Sequence, residues 1–485
     1  MARIVILGAG VAGHTAALHA KRWLGKQHQV IVVAPNAKWN WIPSNIWVGV
    51  GNMTTDQVTF PLAPIYRRKG IEFCRALATE IHPEGDADHA SGYVVVRSTE
   101  EGSEGTLSTI EYDYLINCTG PKLNFAATPG LGPDIGHTLS VCTANHAAMT
   151  AERFKAAIER LKTGEKLRFV IGTGHGTCTC EGAAFEFTFN VEHELRKAGV
   201  RENAEVVYFS NEAQLGDFGV GGLVFTQQGF QTTSQLWTES LFRERGVHAV
   251  LGAHVTNVES GKLSYEQLDG STHELNFDFA MLLPPFRGAD LVAIDKEGND
   301  ITGRLFNPAG FLKVDANYGA GAYENWTAAD WPKTYQSPEY GNIYAAGIAF
   351  APPHQISKPR TTPNGTIITP APPRTGMPSG MIAKAVTHTV VDRIKGINAA
   401  PHEAPMTKMG AACVASAGTG LRKGSAAAMT MQPVVPDWQK YPATGRNMAG
   451  TFGEIGLAGH WIKFMLHVMF IYKAKARPLW WVIPE

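Results

Sequence analysis

The chain has 485 residues, more than the roughly 250–300 at which a single hydrophobic core stops growing, so two or more domains are expected. Hydrophobic residues make up 44% and charged residues 18%, which is typical of a folded protein and excludes a disordered, collagen-like or coiled-coil chain. The 43 basic residues balance the 43 acidic ones. No overall charge therefore draws the chain to nucleic acid, and any membrane contact must be local.

The first motif is typical of a nucleotide-binding turn. An apolar run over residues 3–7 precedes Gly8, Gly10 and Gly13, and a helical pattern follows. Gly8 allows a tight turn, Gly10 lets a pyrophosphate approach the helix N-terminus, and Gly13 permits close packing of helix on strand. This pattern predicts a strand, a turn and a helix that bind a dinucleotide. A strand so early in the sequence also leaves no room for a signal peptide, so none is expected.

The next predicted strand, over residues 30–33, should end in an acidic residue that binds the ribose hydroxyls. This chain has Ala34 there, and Asn36 shortly after it. We expect Asn36 to lie in the cofactor site, in a contact that departs from the usual one.

A second glycine turn follows the apolar run over residues 167–171. Two such units about 160 residues apart predict an α/β architecture with two Rossmann-like domains, in which FAD binds the first and NAD(P)H normally binds the second. Here, however, Cys178 and Cys180 occupy the turn, and no acidic residue follows at a convincing distance after the strand over residues 206–210. A nicotinamide site is therefore doubtful. The Cys-x-Cys spacing also lacks the second pair of a zinc site, so no metal is predicted.

Later segments predict how the chain is divided. A strand ending at Gly347 would return the chain to the first domain. A loop rich in Pro and Thr over residues 352–378 would end at the segment 375–380, beside the cofactor ring, and a helix over residues 381–394 would follow. We expect an FAD-binding domain over residues 1–140 and 290–400, a second Rossmann-like domain over 141–289, and a C-terminal region over 401–485.

Six cysteines are too few for a secreted disulfide scaffold, so each is judged separately. Cys74 and Cys118 stand in apolar strand patterns and are expected to pack as small hydrophobic residues. Cys142, Cys180 and Cys413 each follow small or polar residues, which favours turns.

Taken together, these three cysteine contexts resemble the sulfide:quinone oxidoreductase family, and the resemblance runs the length of the chain. The segments over residues 41–51, 113–123 and 460–463 fall in the family's order, as does the first glycine turn. The resemblance implies that Cys180 and Cys413 form the redox pair, bridged by a disulfide or a short sulfur chain. Cys142 would match the third cysteine, which in some members is attached to the flavin.

The resemblance also implies the cofactor, the partners and further site residues. FAD would be held by Gly8, Gly10, Gly13, Asn36, Thr119, Gly120, Gly347, Thr375 and Gly376. The substrates would be hydrogen sulfide and a membrane quinone, with Lys463 and Trp480 as quinone contacts. A membrane surface is expected as a partner, nucleic acid is not, and a homo-oligomer is compatible with the family.

The residue types fit this chemistry. Sulfide is a soft nucleophile, and a disulfide sulfur is its natural electrophile. Cys180 precedes a predicted helix, whose N-terminus would stabilise a thiolate. Glu186, six residues later, could face the site and carry protons, although a solvated or capping Glu fits equally well. His146 falls where the family has a histidine, whereas Asp217 replaces another, which puts an acid/base role there in doubt.

The tail predicts a membrane interface. Residues 460–485 hold four Lys or Arg against one acid, and three tryptophans, and such residues mark an interface. On a helix over residues 461–472, Lys463 and His467 form a polar stripe opposite an apolar face, although a core helix would show the same stripe. No apolar run is long enough to span a bilayer. A peripheral, monotopic membrane protein is therefore expected.

Three rival interpretations remain open. A type II NADH:quinone dehydrogenase would need a working nicotinamide site and no cysteine pair. The flavoprotein subunit of a flavocytochrome c sulfide dehydrogenase would pass electrons to a haem partner. A flavin-binding redox sensor without enzymatic activity would need neither the third reactive cysteine nor the tail.

Overall fold

The computed structural model describes residues 1–179, 181–373, 376–418 and 424–485. In the first part of the chain the helices and strands are β1 (Arg3–Leu7), α1 (Val11–Leu24), β2 (Gln29–Val33), β3 (Lys38–Asn40), α2 (Asn45–Gly49), α3 (Thr55–Val58), β4 (Thr59–Pro61), α4 (Ala63–Lys69), β5 (Glu72–Cys74), β6 (Ala76–His82), β7 (Tyr93–Ser98), β8 (Leu107–Glu111), β9 (Tyr114–Asn117) and β10 (Lys122–Leu123).

The middle part consists of α5 (Ala144–Lys162), β11 (Leu167–Thr173), α6 (Glu181–Lys197), β12 (Ala204–Phe209), β13 (Val224–Gln227), β14 (Phe230–Thr233), α7 (Ser234–Arg245), β15 (Val247–Val250), β16 (Ala253–Glu259), β17 (Lys262–Gln267), β18 (Thr272–Asn276), β19 (Phe279–Leu283), β20 (Phe286–Arg287) and β21 (Val292–Ala293). The last part consists of α8 (Thr302–Leu305), β22 (Ile343–Ala345), α9 (Gly376–Ile394), β23 (Ala411–Ala417), β24 (Ser425–Met431), β25 (Phe452–Gly456) and α10 (Leu457–Ala474).

The first glycine turn follows β1, the central strand of a five-stranded parallel sheet of order β22-β9-β1-β2-β5. Its central strands are runs of buried aliphatic residues, as expected for a parallel sheet covered on both faces. Strand β22 is more than 200 residues from β9 in the sequence yet pairs with it. The predicted return of the chain to the first sheet is therefore confirmed, and so is the α/β fold class.

The second glycine turn follows β11, in a parallel sheet of order β15-β12-β11-β19. Helix α6 begins directly after this turn and packs on β11 and β12. This strand, turn and helix form the second predicted Rossmann-like unit.

A third sheet was not predicted from the sequence. Its order is β14-β13-β25-β24-β23, so it joins a hairpin of the middle part to the C-terminal region. Strand β23 packs on α6, and α10 packs on β24. Cys413 lies within β23, so the prediction of a turn at this cysteine is wrong: its small neighbours are packed in an antiparallel pair with β24.

Helix α9 begins at Gly376, so Pro378 lies in its first turn and not in the preceding loop. A proline is tolerated there because the first backbone N–H groups of a helix have no partner within the helix. The predicted helix over residues 381–394 is thus confirmed but begins five residues too late. Helix α9 packs against α1.

The C-terminal residue is anchored in the first part of the chain. The Glu485 carboxylate lies 2.7 Å from His19 Nε2 and 2.7 Å from Lys473 Nζ, and the side chains of all three are at most 6% exposed. Trp480 packs on the His19 ring, with ring centres 4.8 Å apart. The last turn of α10 and the residues after it are therefore fixed against α1.

We predict that Glu485→Gln lowers the free energy of unfolding by about 3 kcal/mol, because breaking a buried ion pair leaves Lys473 uncompensated. Chemical denaturation at neutral pH measures it. The matched control is Glu339→Gln, which removes an exposed pair with Arg304 and should cost less than about 1 kcal/mol.

The same pair predicts a pH dependence. Burial opposes ionisation of Glu485, but the His19 hydrogen bond and the Lys473 charge together lower its pKa. The stabilisation is then present above the unfolded-state pKa and is lost as the pH falls through the folded-state pKa. Wild type and Glu485→Gln should converge in stability at acidic pH; a constant difference at all pH values would contradict the role of the charge.

Candidate functional site

The first glycine turn has an open face for a ligand. A Cβ atom built on Gly8 would lie 2.2 Å from the Cys118 carbonyl oxygen, and one on Gly13 would lie 1.9 Å from the Gly8 oxygen, so both positions require glycine. At Gly10, which precedes α1, a Cβ would meet nothing within 4 Å. The turn therefore leaves space at the helix N-terminus, where a pyrophosphate binds in such folds.

Three other predicted FAD contacts lie at the ends of strands β9 and β22 of the first sheet. Gly347 has φ +71° and approaches Ala12 so closely that a Cβ would lie 2.6 Å from the alanine side chain, which brings the end of β22 to the first turn of α1. Gly120 has φ +67° with open space beside it. The Thr119 backbone N–H and hydroxyl both donate to Asn117 Oδ1, at 3.1 and 2.8 Å.

Asn36 is exposed just beyond β2. A Cβ built on Gly376 would lie 3.9 Å from the Trp41 ring. Thr375 lies outside the described residues.

The second glycine turn is closed where the first is open. Gly174 stands where Gly10 stands in the first turn, yet a Cβ on Gly174 would lie 2.6 Å from a methyl carbon of Leu131. Its backbone N–H donates to Leu283 O at 2.7 Å. A pyrophosphate therefore has no comparable approach to this backbone.

A segment of the chain itself covers this second turn. The Thr369 N–H donates to Gly176 O at 2.8 Å, and the Ala371 N–H donates to Cys178 O at 2.9 Å. The Thr179 hydroxyl donates to Pro372 O at 3.0 Å. Residues 367–372 thus bind the turn through backbone and side-chain hydrogen bonds, in the place where a nicotinamide dinucleotide binds in a Rossmann domain.

Cys413 lies over the first turn of α6. Its Sγ atom is 2.8 Å from a Cβ built on Gly182, so the glycine makes room for the sulfur. Cys180 itself lies outside the described residues, but it stands two positions before Gly182 in the sequence. The fold therefore brings Cys413 to the segment that carries Cys180.

A buried ion pair stands beside Cys413. Glu186 Oε2 lies 2.8 Å from Lys463 Nζ, with the side chains 4% and 8% exposed. The Ser416 N–H, at 3.1 Å, and the Ser416 hydroxyl both donate to Glu186 Oε1, while Lys463 also donates to Pro43 O at 2.9 Å. Of the two orientations that the sequence left open for Glu186, the inward one is therefore found.

The electrostatics of Cys413 disfavour a thiolate. Burial, aided by the negative charge of Glu186, raises the pKa of the Cys413 thiol to about 12, although the nearby Lys463 ammonium opposes this. At neutral pH Cys413 is thus a weak nucleophile and is better suited to be the sulfur that is attacked.

The remaining predicted residues lie around this site. Cys142 directly precedes α5 and is half-buried, and burial raises its pKa to about 11. Cys178 is buried and donates to Leu283 O at 3.1 Å, and Cys142 is near enough to influence its pKa. His146 Nε2 lies 3.6 Å from the exposed carboxylate of Asp134, and burial lowers the histidine pKa.

Buried carboxyl groups beside the cysteines were not predicted from the sequence. Glu181 and Glu212 are both 0% exposed, and Asp217 is largely buried. A Glu in the first turn of a helix is normally solvated, so nothing in the local pattern set Glu181 apart. Only the packing of the loop over residues 211–219 on α6 encloses it.

The structure also brings together three side chains of metal-binding type away from this site. The ligand atoms of His388, Asp392 and His402 lie within 4.8 Å of one another. The two imidazole rings are stacked with centres 3.7 Å apart and planes 11° apart, so their in-plane lone pairs cannot meet at one ion. Lys384 and Lys395 add positive charge near His388.

Helix α10 has its polar stripe inside and its apolar face outside. Lys463 is buried and His467 bonds to Ser44 Oγ at 2.9 Å, whereas Trp461, Met465 and Val468 are 45%, 57% and 49% exposed. Among the described residues no helix is long and apolar enough to cross a bilayer. The exposed apolar residues favour the membrane interpretation of the tail over a core helix, and membrane attachment stays a prediction.

Trp480 lies elsewhere than expected. It lies beyond the end of α10, is 2% exposed and packs on His19. Lys463 lies in the first half of α10, beside Glu186. Lys463 and Lys473, two of the four cations of the tail, form buried ion pairs and do not contribute to its exposed charge. The contact of Trp480 with quinone stays a prediction.

Two Rossmann-like units, an open first turn and a covered second turn define a flavoprotein architecture of the disulfide-reductase type. The family model for pyridine nucleotide-disulphide oxidoreductases matches residues 2–284. The chain belongs to this family.

The most informative relatives are sulfide-oxidising enzymes. The sulfide-quinone reductase of Aquifex aeolicus is 28% identical over 472 residues, which cover 97% of this chain and 91% of that protein. The mitochondrial sulfide:quinone oxidoreductase of Dictyostelium discoideum is 22% identical over 71% of this chain and 64% of that protein.

Solved structures agree. The sulfide:quinone oxidoreductase of Aquifex aeolicus has a TM-score of 0.74 and 26% identity, covering 98% of this chain and 92% of that one. NDH2 from Plasmodium falciparum in complex with NADH, at a TM-score of 0.63 and 14% identity over 98% and 96%, shares the fold alone.

The cofactor is FAD, as in this family, and the residues present fit it. The open space at Gly10 admits a pyrophosphate to the N-terminus of α1, and the neighbouring glycines are fixed by close backbone contacts. The site therefore has a cradle for the dinucleotide at the first turn and none of the same kind at the second.

We predict that NADH and NADPH leave the bound flavin oxidised, because residues 367–372 and Leu131 close the second turn. Anaerobic stopped-flow absorbance, with each nucleotide mixed with the purified flavoprotein, tests this. Dithionite serves as the positive control for bleaching. Rapid bleaching by either nucleotide would contradict the closed site.

Proposed function

We propose that this protein is a sulfide:quinone oxidoreductase, which oxidises sulfide to polysulfide or elemental sulfur and passes the electrons to quinone. The observation that carries the proposal is the position of Cys413 Sγ against Gly182, beside the segment that holds Cys180. The likeness to the Aquifex aeolicus enzyme over nearly the whole chain supports it.

The alternatives are less well supported. A type II NADH:quinone dehydrogenase requires a nicotinamide site, and the second turn is covered by residues 367–372. A redox sensor would not require a cysteine opposite the start of α6 or a helix with an exposed apolar face. For the flavocytochrome subunit, that same apolar face favours quinone over a haem protein as acceptor.

In the proposed cycle, hydrosulfide attacks the sulfur of Cys413 in a Cys180–Cys413 bridge. The new S–S bond forms as the old one breaks, and its electron pair remains on the sulfur of Cys180. This direction follows from the surroundings: the pKa of Cys413 is raised, whereas Cys180 directly precedes α6, whose N-terminus stabilises a thiolate. Bound FAD supplies the two-electron chemistry, accepting electrons from sulfur and passing them to quinone.

The Glu186–Lys463 pair connects the sulfur site to the tail. Lys463 remains the candidate quinone contact because it is the polar group of α10 that lies beside the sulfur site. Its ammonium group could donate a hydrogen bond to a quinone oxygen that approaches along α10 from the membrane. Glu186 holds the charge of Lys463 in place when no quinone is bound.

The exposed face of α10 supports binding at a membrane surface. Trp461, Met465 and Val468 are spaced as neighbours along one side of the helix, and Leu479 and Val482 are 62% and 66% exposed beyond its end. Apolar and aromatic residues beside Lys475 and Arg477 suit the interface of an anionic membrane. We propose a monotopic attachment through this face.

Replacing either bridge cysteine should abolish turnover while leaving FAD bound. We expect Cys413→Ala and Cys180→Ala to lower sulfide-dependent quinone reduction on the order of 1000-fold, because neither alone completes the exchange. Cys142→Ala should lose less. The matched control is Cys74→Ala, in the first sheet, which should keep normal activity. Near-normal turnover of either bridge variant, with FAD content confirmed by absorbance, would refute the mechanism.

Charges placed on the outer face of α10 should release the protein from membranes. We expect Met465→Glu and Val468→Glu each to weaken binding to vesicles of phosphatidylglycerol and phosphatidylcholine about tenfold, since each forfeits roughly 1.5 kcal/mol of apolar burial. Co-sedimentation measures the binding. Ile135→Glu is the control, because Ile135 is 98% exposed away from α10. Unchanged binding of both variants would rule out this face, and sulfide should still bleach their flavin.

A further inference from the structure

Three carboxyl groups meet at one turn beside the sulfur site. The backbone N–H of Phe218 donates to Glu212 Oε1 at 2.9 Å, and that of Gly219 donates to Asp217 Oδ1 at 3.0 Å. A Cβ built on Gly219 would lie 3.5 Å from Glu181 Oε2. The turn is held at positive φ by both Phe218, at 53°, and Gly219, at 71°. The packing of this turn on α6 thus encloses the Glu181 carboxyl group.

Two of the three carboxyl groups are satisfied, and Glu181 is not. Glu212 also accepts hydrogen bonds from the Tyr208 and Ser210 hydroxyls, at 2.9 and 2.8 Å, and Asp217 accepts one from Ser357. Among the described residues, neither oxygen of Glu181 makes a hydrogen bond of ordinary length, although the side chain is 0% exposed, and the Asn211 side chain interacts with it and opposes the rise of its pKa. A buried polar group without a partner costs free energy, and such groups mark functional sites or bound molecules.

A second unsatisfied group adjoins the first. Asn211 is 0% exposed, and its Nδ2 donates to Gly176 O and Cys178 O, both at 3.1 Å. These two bonds fix the orientation of the amide, and its Oδ1 has no partner. The Asn211 side chain lies next to the Glu181 carboxyl group. Two fully buried polar side chains thus lie side by side, and their oxygens make no ordinary hydrogen bond to a described residue.

The charges around Glu181 come from every element packed on it. Burial, and next the negative charge of Glu212, raise the pKa of Glu181 well above its usual value, and Asp217 adds to this. Arg360 and Arg446 act on the cluster through Asp217. Within the part of the chain that the structure describes, Glu181 in turn raises the pKa values of Tyr208, Cys178 and Cys413. A buried carboxylate in this setting is a stronger base than an exposed one.

Glu186, the carboxyl group expected from the sequence to carry protons, is less available. Its oxygens already accept hydrogen bonds from Lys463 and from the backbone and hydroxyl of Ser416. Both oxygens of this carboxylate are therefore already occupied by donors. Glu181 lies on the first turn of the same helix, next to Gly182, against which the Cys413 sulfur rests.

We propose that Glu181 is the base that removes the proton from the sulfane S–H group formed at Cys413 when hydrosulfide adds to it. This step rests on the proposed function. In it the Glu181 carboxylate forms an O–H bond as the S–H bond of Cys413–S–SH breaks. The electron pair of that bond stays on the terminal sulfur. The resulting Cys413–S–S⁻ is the nucleophile that later rebuilds the bridge, when the flavin takes up two electrons.

Anaerobic stopped-flow measurement of flavin bleaching by sulfide tests the proposal. We expect Glu181→Gln to slow the bleaching about 100-fold, with FAD content unchanged. Ionisation of hydrogen sulfide affects every variant equally, so the ratio of wild-type to variant rates isolates Glu181. That ratio should grow as the pH rises and Glu181 loses its proton. Glu194→Gln is the matched control: it removes a carboxylate of the same helix that pairs with Asn52 and Lys197, and should bleach at the wild-type rate.

Infrared difference spectra give a readout other than rate. Reduction by sulfide should produce the carbonyl band of a newly protonated carboxylic acid in wild type and in Glu194→Gln, but not in Glu181→Gln. If Glu181→Gln does not fold, Glu212→Gln still decides the matter. Removal of the neighbouring negative charge lowers the pKa of Glu181, so the rise of the rate with pH should move to lower pH.

Rates of Glu181→Gln within about twofold of wild type at every pH, a carbonyl band that persists in this variant, or an unshifted profile of Glu212→Gln would each overturn the proposal. All three leave the proposed function intact. Wild-type flavin that sulfide does not bleach would instead overturn the proposed function, and this step with it.

Discussion

The buried ion pair between Glu186 and Lys463 is the contact on which the arrangement of the site depends. It joins residues 277 positions apart, one on the helix that starts at the redox cysteine segment and one on the helix that faces outward. A charge in such a place must be paired, because an isolated one costs several kcal/mol. Helix α10 is therefore held in one orientation about its axis.

That orientation explains the reversed polarity of the tail. Lys463 and His467 face inward to Glu186 and Ser44, so Trp461, Met465 and Val468 lie on the outer side of α10, whereas Phe470 near its end is buried. The helix can be stable in this form because its polar groups are satisfied inside the protein. The protein thus presents an apolar helix surface while Lys463 and His467 are paired inside.

The sequence predicted the features that depend on short stretches of chain. The first glycine turn, β1 and α1 follow from contiguous residues, and the structure has them where the pattern placed them. Cys413 was misplaced at a turn because β23 consists of small residues, and its pairing with β24 depends on partners outside the local window. The sequence predicted Glu186 on a helix six residues after Cys180. Its inward orientation depends on the ion pair with Lys463, which is distant in the sequence.

The burial of Glu181 could not be predicted from the sequence either, because it depends on residues outside the local pattern. Burial of a carboxyl group in the first turn of a helix depends on what folds over it, here a loop about 30–38 residues further along the chain. Local patterns predict elements, whereas the chemistry of this site is set by contacts between elements. Such contacts can be read only from the folded chain.

The segment over residues 367–372 has one more consequence. Because it belongs to the same chain as the turn it covers, it competes with any free nucleotide as an intramolecular ligand. A diffusing dinucleotide would have to displace backbone hydrogen bonds that re-form without a second-order encounter. Conversion of this scaffold to a pyridine-nucleotide enzyme would therefore begin with removal of the segment, since mutations that only improve contacts with the nucleotide would leave the tethered competitor in place.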